Sequence, residues 1–215
     1  SQKKELSLKD AVMMQRSLSP DRISNFLWIS DTEYSTCSKD WKTLFKNNIN
    51  ADKDVELLKI ENLNLVLQTS YQNFGGMEWI NETTILLNDG QTISEYNVVN
   101  NTGKILKKVG VDSENLNYHS KSNHLAYTIA KNIYVDEKAI TKNIDKNIVS
   151  GQSIARNEFG ISAGIFWSIN GSYLAFYQKN ERTVHDYPLL DINSTPGELV
   201  SIKYPMAGQS SEEPK

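Results

Sequence analysis

The sequence predicts an all-β protein, a partial β-propeller of about four blades of four-stranded antiparallel sheet with a short N-terminal helix. Two observations lead to this fold class. A pattern of an aromatic residue, a turn and a small apolar strand recurs along the chain, and turn residues separate short apolar runs throughout. Repeats of roughly 40–50 residues built from short strands are typical of propeller blades.

The repeat has four copies, and each contains an aromatic anchor residue near its first strand. The anchors are Trp28, Trp79, Tyr118 and Trp167, which are 51, 39 and 49 residues apart. The apolar runs that follow them begin at Tyr34, Ile85, Leu125 and Leu174. We expect Trp28, Trp79 and Trp167 to pack inside the blades rather than to serve as exposed stacking platforms.

Pairs of turn residues mark two of the predicted hairpins. Asp89-Gly90 separates the run 85–87 from a predicted strand at 93–98, and Asn170-Gly171 follows the fourth anchor. Glycine supplies the positive φ angle that tight hairpin turns need. A β-sandwich also contains short strands and frequent turns, but the spacing of the anchors favours a propeller.

Two terminal segments are predicted to lie outside the blades. Ser7 is a suitable N-cap for a short helix over 7–16, with Asp10 three residues later and Pro20 beyond its end. The last segment is polar, which predicts a flexible tail. The predicted organisation is a helical lead-in at 1–20, propeller blades at 21–207 and a tail at 208–215. Four blades are fewer than most propeller rings contain, so we expect the chain to be part of a longer propeller.

Composition disfavours several classes of function. The 215 residues carry a formal net charge of −3 without a basic block, which disfavours binding to nucleic acid or to an anionic membrane surface. No apolar run approaches the roughly 20 residues that cross a bilayer. Cys37 is the one cysteine, so it forms no intramolecular disulfide, and we expect it to be a small apolar strand residue. No metal and no cofactor are predicted.

The three histidines, His119, His124 and His185, show no catalytic pattern. The sequence contains no G-x-S-x-G nucleophile elbow. His119 and His124 are five residues apart, which predicts that they lie on opposite faces of a strand and do not share a metal ion. The sequence therefore predicts no catalytic residue in this chain.

An ordered series of motifs runs from Gly151 to Gly208. Its members are R-N-E-F-G-I at 156–161, G-I-F-W-S at 164–168, L-A-F-Y at 174–177, D-Y-P-L-L-D at 186–191 and Y-P-M-A-G at 204–208. The series resembles the N-terminal propeller of the dipeptidyl peptidase IV and prolyl tripeptidyl peptidases, within the prolyl oligopeptidase clan, and especially those of Bacteroidetes-like bacteria. Over residues 6–134 the resemblance is weaker and rests on the opening helix and the anchors.

The resemblance implies a larger enzyme around this chain. In that family the propeller covers an α/β-hydrolase domain, which holds the Ser, Asp and His of a serine exopeptidase that releases N-terminal di- or tripeptides, typically after proline. That domain would follow Lys215 in a parent protein or would have been lost, and this chain alone would be inactive. The resemblance also implies a periplasmic or secreted protein, and a start at Ser1 fits a removed signal peptide. The implied partners are the peptide substrate, the hydrolase domain and a second copy of the protein.

One site residue also follows from the resemblance. Glu158 matches the family's glutamate that pairs with the free α-ammonium group of the substrate, and Arg156 and Asn157 are its neighbours. This chain has a single glutamate where dipeptidyl enzymes often have two, and in this respect it is more similar to the tripeptidyl enzymes. A second departure is Ile169, which replaces the usual turn proline. Without the resemblance, Glu158 would be taken for a solvated loop residue, with Arg156 as an ion-pair partner.

An alternative function is a non-catalytic propeller module that binds protein partners. The number of blades and the absence of hydrolase motifs favour this alternative. A reading frame that continues into a nucleophile elbow would exclude it.

Overall fold

The fold is that of a computed structural model, which describes residues 7–13, 23–51, 53–155 and 159–215. Short β-strands dominate it, and most of them follow one another in antiparallel sheets. This confirms the predicted all-β class, a partial propeller. The chain divides into two compact units, Ser1–Leu87 with Glu95–Lys104, and Asn88–Ser94 with Ile105–Lys215.

Helix α1 (Leu8–Met13) begins at the predicted N-cap. The Asp10 N–H donates to Ser7 Oγ (3.1 Å), and the Ser7 hydroxyl donates to the Asp10 carboxylate (2.7 Å). This reciprocal pair satisfies free backbone and side-chain groups at the start of the helix. The rest of the predicted helix, to Arg16, and Pro20 lie outside the described residues.

Three four-stranded sheets follow the chain order, as propeller blades require. The first contains β1 (Ser24–Trp28), β2 (Glu33–Cys37), β3 (Thr43–Asn48) and β4 (Val55–Lys59). The second contains β5 (Met77–Asn81), β6 (Thr84–Asn88), β7 (Thr92–Asn97) and β8 (Thr102–Lys108). The third contains β9 (Glu114–His119), β10 (His124–Ile129), β11 (Asn132–Val135) and β12 (Lys138–Ala139).

The core of the first unit lies between its strands and helix α2 (Ile60–Leu67). The helix buries Ile60, Leu63 and Leu67, which share one face. The buried strand residues around them include Leu44, Leu58, Met77, Ile85, Leu87 and Tyr96. Cys37 is also buried here, on β2, as predicted, and this burial raises the pKa of its thiol.

Helix α2 is absent from the sequence-based prediction because neither of its ends carries a usual signal. Its N-cap is Lys59, whose side chain makes no capping hydrogen bond. Its C-cap is Gln68, which adopts a left-handed conformation (φ 54°), although glycine is the usual residue near such an end. The helix is therefore stabilised by the burial of its apolar face rather than by its caps.

The fourth blade differs from the predicted four-stranded sheet. Its anchor strand β14 (Ile165–Trp167) pairs with β15 (Leu174–Phe176). A separate three-stranded sheet contains β13 (Ile148–Ser150), β16 (Gln178–Asn180) and β19 (Glu213–Pro214), and β17 (Asp186–Asp191) pairs with β18 (Glu198–Lys203) as a hairpin. Gly171 has a positive φ of 70° at the turn between β14 and β15, as predicted, and Gly90 one of 90° between β6 and β7.

The prediction of a flexible tail at 208–215 is corrected at its end. Strand β19 pairs with β16, and Gln178 and Lys215 exchange two backbone hydrogen bonds of 3.1 and 2.8 Å. Backbone groups make this pairing, so the polar side chains of the segment give no sign of it. Neither described helix is long and apolar enough to cross a membrane.

Candidate functional site

The candidate binding segment lies where the chain leaves the fourth blade and returns to it. Strands β15 and β16 are separated only by Tyr177, and they pair with β14 and β13 respectively. The Gly151 N–H donates to the Tyr177 carbonyl (2.9 Å), and the Tyr177 N–H donates to the Gly164 carbonyl (3.0 Å). Residues 151 and 164 thus meet at one residue of the facing strand, and the described residues between them, 152–155 and 159–163, belong to no strand. We call residues 152–163 the extruded segment. The segment is inserted between β13 and β14, which explains why the strands of the fourth blade belong to separate sheets.

The base of the extruded segment is closely packed at Gly164. A Cβ atom at this position would lie 2.2 Å from the Gln152 carbonyl carbon and 2.7 Å from the Gly151 carbonyl carbon. Real Cβ atoms do not approach backbone atoms so closely, so glycine is required here. The two ends of the segment are therefore held together by main-chain packing.

The predicted site residue Glu158 lies outside the described residues, as do its neighbours Arg156 and Asn157. The residues that flank them, Ala155 and Phe159, have left-handed φ angles of 51° and 57°. Such a conformation costs a non-glycine residue roughly 1–2 kcal/mol, and strained residues of this kind cluster at binding sites. Phe159 also has 89% of its surface exposed. The described part of the segment thus presents a large aromatic side chain to solvent.

Asn117 on β9 holds strand β14, which follows the extruded segment. The side-chain Nδ2 of Asn117 donates to the Ile165 carbonyl (2.7 Å), and its backbone carbonyl accepts a hydrogen bond from Trp167 Nε1 (3.0 Å). These two bonds fix both ends of β14 against the third sheet. The sequence gives no local signal for this role, because Asn117 stands 48 residues before Ile165.

The three tryptophans among the anchors have two different environments. Trp79 packs against the core of the first unit, and its Nε1 donates to the buried Ser35 hydroxyl (2.8 Å). Together with the bond from Trp167, this confirms the predicted packing role of two anchors. The prediction is wrong for Trp28, which has 55% of its surface exposed and contacts Phe26 and Tyr34 in a surface cluster. Its strand β1 is an edge strand of the first sheet.

The prediction that His119 and His124 lie on opposite faces of a strand is also wrong. His119 ends β9 and His124 begins β10, and the two residues are direct partners across the hairpin. Directly opposed residues of an antiparallel pair share a face. Both imidazoles accordingly contact Trp167, with ring centroids 6.0 and 5.9 Å from the indole.

Asp136, in the turn between β11 and β12, joins several elements of the second unit. Its carboxylate accepts hydrogen bonds from His124 Nδ1, Lys107 Nζ (2.9 Å) and the Leu125 N–H (3.1 Å). Burial alone would raise the pKa of Asp136, but these three donors outweigh burial and hold the pKa below its ordinary value. The ionised form is thus favoured by the fold.

The described side chains do not form a catalytic triad. His119 Nδ1 lies 2.9 Å from Ser122 Oγ, but the Ser122 N–H also donates to this nitrogen (3.2 Å). The nearby carboxylate, Asp136, pairs with the other histidine, His124, and so does not orient His119. Among the described residues, no cluster of three or more His, Cys, Asp or Glu side chains could hold a metal ion.

The β17–β18 hairpin is anchored at its base and exposed along its length. Lys203 Nζ donates to the Val184 carbonyl (2.9 Å) and pairs with Asp186, while Val184 is buried. The exposed apolar residues of the hairpin and the segment after it are Tyr187, Leu189, Leu190, Ile192, Leu199, Val200, Ile202, Tyr204 and Met206. Part of this surface is a groove of about 510 Å³ lined by Tyr187, Leu189, Ile202 and residues 204–207.

The chain is similar to known proteins in sequence and in fold. Residues 92–214 match the family described as the dipeptidyl peptidase IV N-terminal region. A crystal structure of a Bacteroides ovatus protein assigned as a dipeptidyl aminopeptidase IV is similar, with 32% identity and a TM-score of 0.71. It is matched over 90% of this chain and 28% of that chain.

Porphyromonas gingivalis dipeptidyl peptidase 4 has a similar fold, with 18% identity and a TM-score of 0.64. It is matched over 100% of this chain and 33% of that chain. The chain therefore spans about a third or less of the length of these two proteins.

Proposed function

Because this chain belongs to the dipeptidyl peptidase IV N-terminal region family, we propose that it is the substrate-recognition propeller segment of a serine exopeptidase. The parent enzyme releases di- or tripeptides from substrate N-termini, typically after proline. The catalytic Ser, Asp and His belong to an α/β-hydrolase domain of the same parent chain. The propeller controls the access of substrates to that domain. The 215-residue chain alone does not hydrolyse peptides.

Glu158 is the residue that binds the substrate in this proposal. The free α-ammonium group of a peptide is a cation at neutral pH, and a carboxylate at the propeller surface pairs with it. Loss of one partner of such a hydrogen-bonded pair commonly costs about 2–5 kcal/mol. A longer peptide whose ammonium group lies elsewhere gains nothing from this contact, so the contact measures substrate length.

The observation that carries the proposal is the extruded segment itself. Its ends are fixed at Gly151 and Gly164 by bonds to Tyr177, and Phe159 next to Glu158 is exposed in a strained conformation. Fixed ends on both sides of Glu158 support its assignment, because a binding residue has to be held in place by the chain around it.

The parent enzyme with Glu158→Gln tests this assignment. We expect KM for a proline-containing peptide with a free N-terminus to rise by at least tenfold, with a smaller change for the same peptide acetylated at its N-terminus. Glu82→Gln, in the exposed turn after β5, is the matched control and should leave both values unchanged. Unchanged kinetics of Glu158→Gln on the free peptide would remove Glu158 from the site.

We also propose that the exposed apolar surface of the β17–β18 hairpin contacts a second copy of the protein, the partner that the family resemblance implies. The parent enzyme is periplasmic or secreted after removal of a signal peptide. Fractionation of cells that express the parent gene, with N-terminal sequencing of the product, tests the localisation.

A further inference from the structure

The two faces of the first sheet have different surroundings. Ser35 on β2 is fully buried and accepts the indole N–H of Trp79, so its face is covered by strand β5. Leu27 lies directly opposite Ser35 across the β1–β2 ladder and packs against the same core. Successive residues of a strand point to opposite faces, so Tyr34 and its direct partner Trp28 lie on the other face of the sheet.

Three aromatic rings cover this other face. The ring of Trp28 contacts Phe26, with centroids 5.2 Å apart, and Tyr34, with centroids 5.8 Å apart. Phe26 also contacts Tyr34 (4.9 Å). Phe26 and Trp28 have 42% and 55% of their surface exposed, and Tyr34 is partly buried. We call these three residues the aromatic face. Exposed apolar side chains in mutual contact form one patch, and such patches mark interaction surfaces.

The later anchors show what lies against this position of a blade. Trp79 donates to Ser35 of the first sheet, and Trp167 donates to the Asn117 carbonyl of the third sheet. Each of these indoles thus has its acceptor in the sheet that precedes its own strand. Trp28 is the corresponding anchor of the first sheet, and among the described hydrogen bonds none is made by its Nε1. By the same pattern, a sheet that precedes the first one in the ring would cover Trp28.

In a propeller ring the blade that precedes the first one in space is the last one in sequence. We propose that the aromatic face is the surface on which the parent propeller closes, and that the last blade, formed by the parent chain beyond Lys215, packs against it and accepts the hydrogen bond of Trp28 Nε1. This proposal rests on the proposed function in one respect, the existence of a longer parent chain. It does not depend on Glu158 or on peptide binding.

The size of the aromatic face favours a sheet of the same chain over a separate protein. A fully covered aromatic side chain buries about 150–250 Å², so three partly buried rings offer on the order of 300 Å². Stable interfaces between separate proteins bury roughly 800 Å² on each partner. A segment of the same chain is held at an effective concentration of about a millimolar or more, so a smaller contact is sufficient.

The parent protein with Trp28→p-benzoyl-L-phenylalanine tests the proposal, because this photoreactive side chain forms a covalent bond with whatever lies against it. We expect mass spectrometry to find crosslinks to a strand of the propeller beyond Lys215. In an equal mixture of ¹⁵N-labelled and unlabelled protein, both halves of each crosslinked pair should carry the same label. Tyr173→p-benzoyl-L-phenylalanine, at an exposed aromatic position in the turn between β14 and β15, is the matched control and should not crosslink to that strand.

Three results would overturn the proposal. Crosslinked pairs of mixed label would assign the aromatic face to a second copy of the protein. Crosslinks to a part of the parent chain outside the propeller would assign it to another domain, and an absence of crosslinked peptides would leave it in solvent.

Hydroxyl-radical footprinting of the wild-type proteins decides the question if the Trp28 variant does not fold. We expect Trp28 to be oxidised about fivefold more slowly in the parent protein than in the 215-residue chain, where 55% of its surface is exposed. The packed Trp79 is the internal control and should react equally in both proteins. Equal oxidation of Trp28 in the two proteins would refute the closing contact. A parent protein that protects Trp28 but does not cleave peptides would keep this proposal and refute the proposed function.

Discussion

Trp79 Nε1 donates a hydrogen bond of 2.8 Å to Ser35 Oγ, which lies 44 residues earlier in the chain. Ser35 is fully buried on β2, so this bond joins the anchor of the second repeat to the sheet formed by the first. Trp167 makes a corresponding bond to the Asn117 carbonyl, 50 residues earlier. Two anchors of the repeat thus bond to the preceding sheet, in addition to their apolar packing.

Replacement of Trp79 by phenylalanine should reduce the free energy of unfolding by about 1–3 kcal/mol, because the buried Ser35 oxygen loses its donor and keeps only its own 3.4 Å bond to the Leu27 carbonyl. Urea denaturation followed by circular dichroism measures this. Trp28→Phe is the control, because Trp28 is exposed, and should change stability by less than about 0.5 kcal/mol. Equal effects of the two replacements would contradict the role assigned to the Trp79 bond.

Gly164→Ala should open the base of the extruded segment. The new Cβ would meet the Gln152 backbone, and overpacking of this kind costs about 1–3 kcal/mol. Thermal unfolding and amide exchange at Tyr177 measure the effect, since the Tyr177 N–H bonds to the Gly164 carbonyl. Gly110→Ala, where a Cβ would meet nothing within 4 Å, is the matched control. A Gly164→Ala protein as stable as this control would show that the base is not tightly closed.

Asp136 should make stability depend on pH in the acid range. Its pKa is lower in the folded protein than the ordinary 3.8, so the unfolded state binds a proton more readily. The stabilisation is therefore fully present above the ordinary value and is lost as the pH falls through the folded-state pKa. Asp136→Asn should be less stable than the wild type by about 1–3 kcal/mol at pH 7 and by less at pH 2.

The urea midpoints of the two proteins at pH 7 and pH 2 measure this difference. Asp112→Asn, at an exposed position, is the control and should follow the wild type at both pH values. A deficit of Asp136→Asn that is the same at pH 7 and pH 2 would mean that the charge of Asp136 is not the source of the stabilisation.

The proposed contact between two copies predicts that a charge on the groove side of the hairpin prevents association. Leu189 faces Val200 across the hairpin, and both are exposed. Leu189→Asp should convert a dimer of the parent protein to a monomer in sedimentation experiments, because the carboxylate would be desolvated at the interface. Ser201→Asp, on the other face, should leave the dimer intact. A wild-type parent protein that is monomeric throughout would refute the contact.

The blade strands could be predicted from the sequence because their signals are local. Strand β5 contains the anchor Trp79, and β6 contains the apolar run that begins at Ile85, as the repeat predicts. The repeat predicts a turn between Tyr118 and Leu125, but its bounds could not be predicted, because it has no glycine or proline and Asn123 supplies the left-handed conformation (φ 56°). The direct pairing of His119 with His124 depends on those bounds and on the register of the hairpin.

The candidate site could be predicted only in part. The assignment of Glu158 comes from the family resemblance and stays a prediction, because a lone glutamate has no physical pattern of its own. Asn117 and Asp136 act on residues of other blades, and their partners depend on tertiary packing that no sequence window contains. The exposure of Trp28 has the same origin, because its strand, unlike β5 and β14, begins the first described sheet.

The tryptophan bonds also bear on the order of assembly during synthesis. The acceptor of each indole lies earlier in the chain, so it has left the ribosome before the indole does. The separations of 44 and 50 residues correspond to about one repeat. The entropic cost of loop closure grows with length by about 0.6 kcal/mol for each doubling, so closing a single repeat costs somewhat less than closing a whole ring. Each blade can therefore add to a finished predecessor, and the growing chain exposes one unfinished blade at a time.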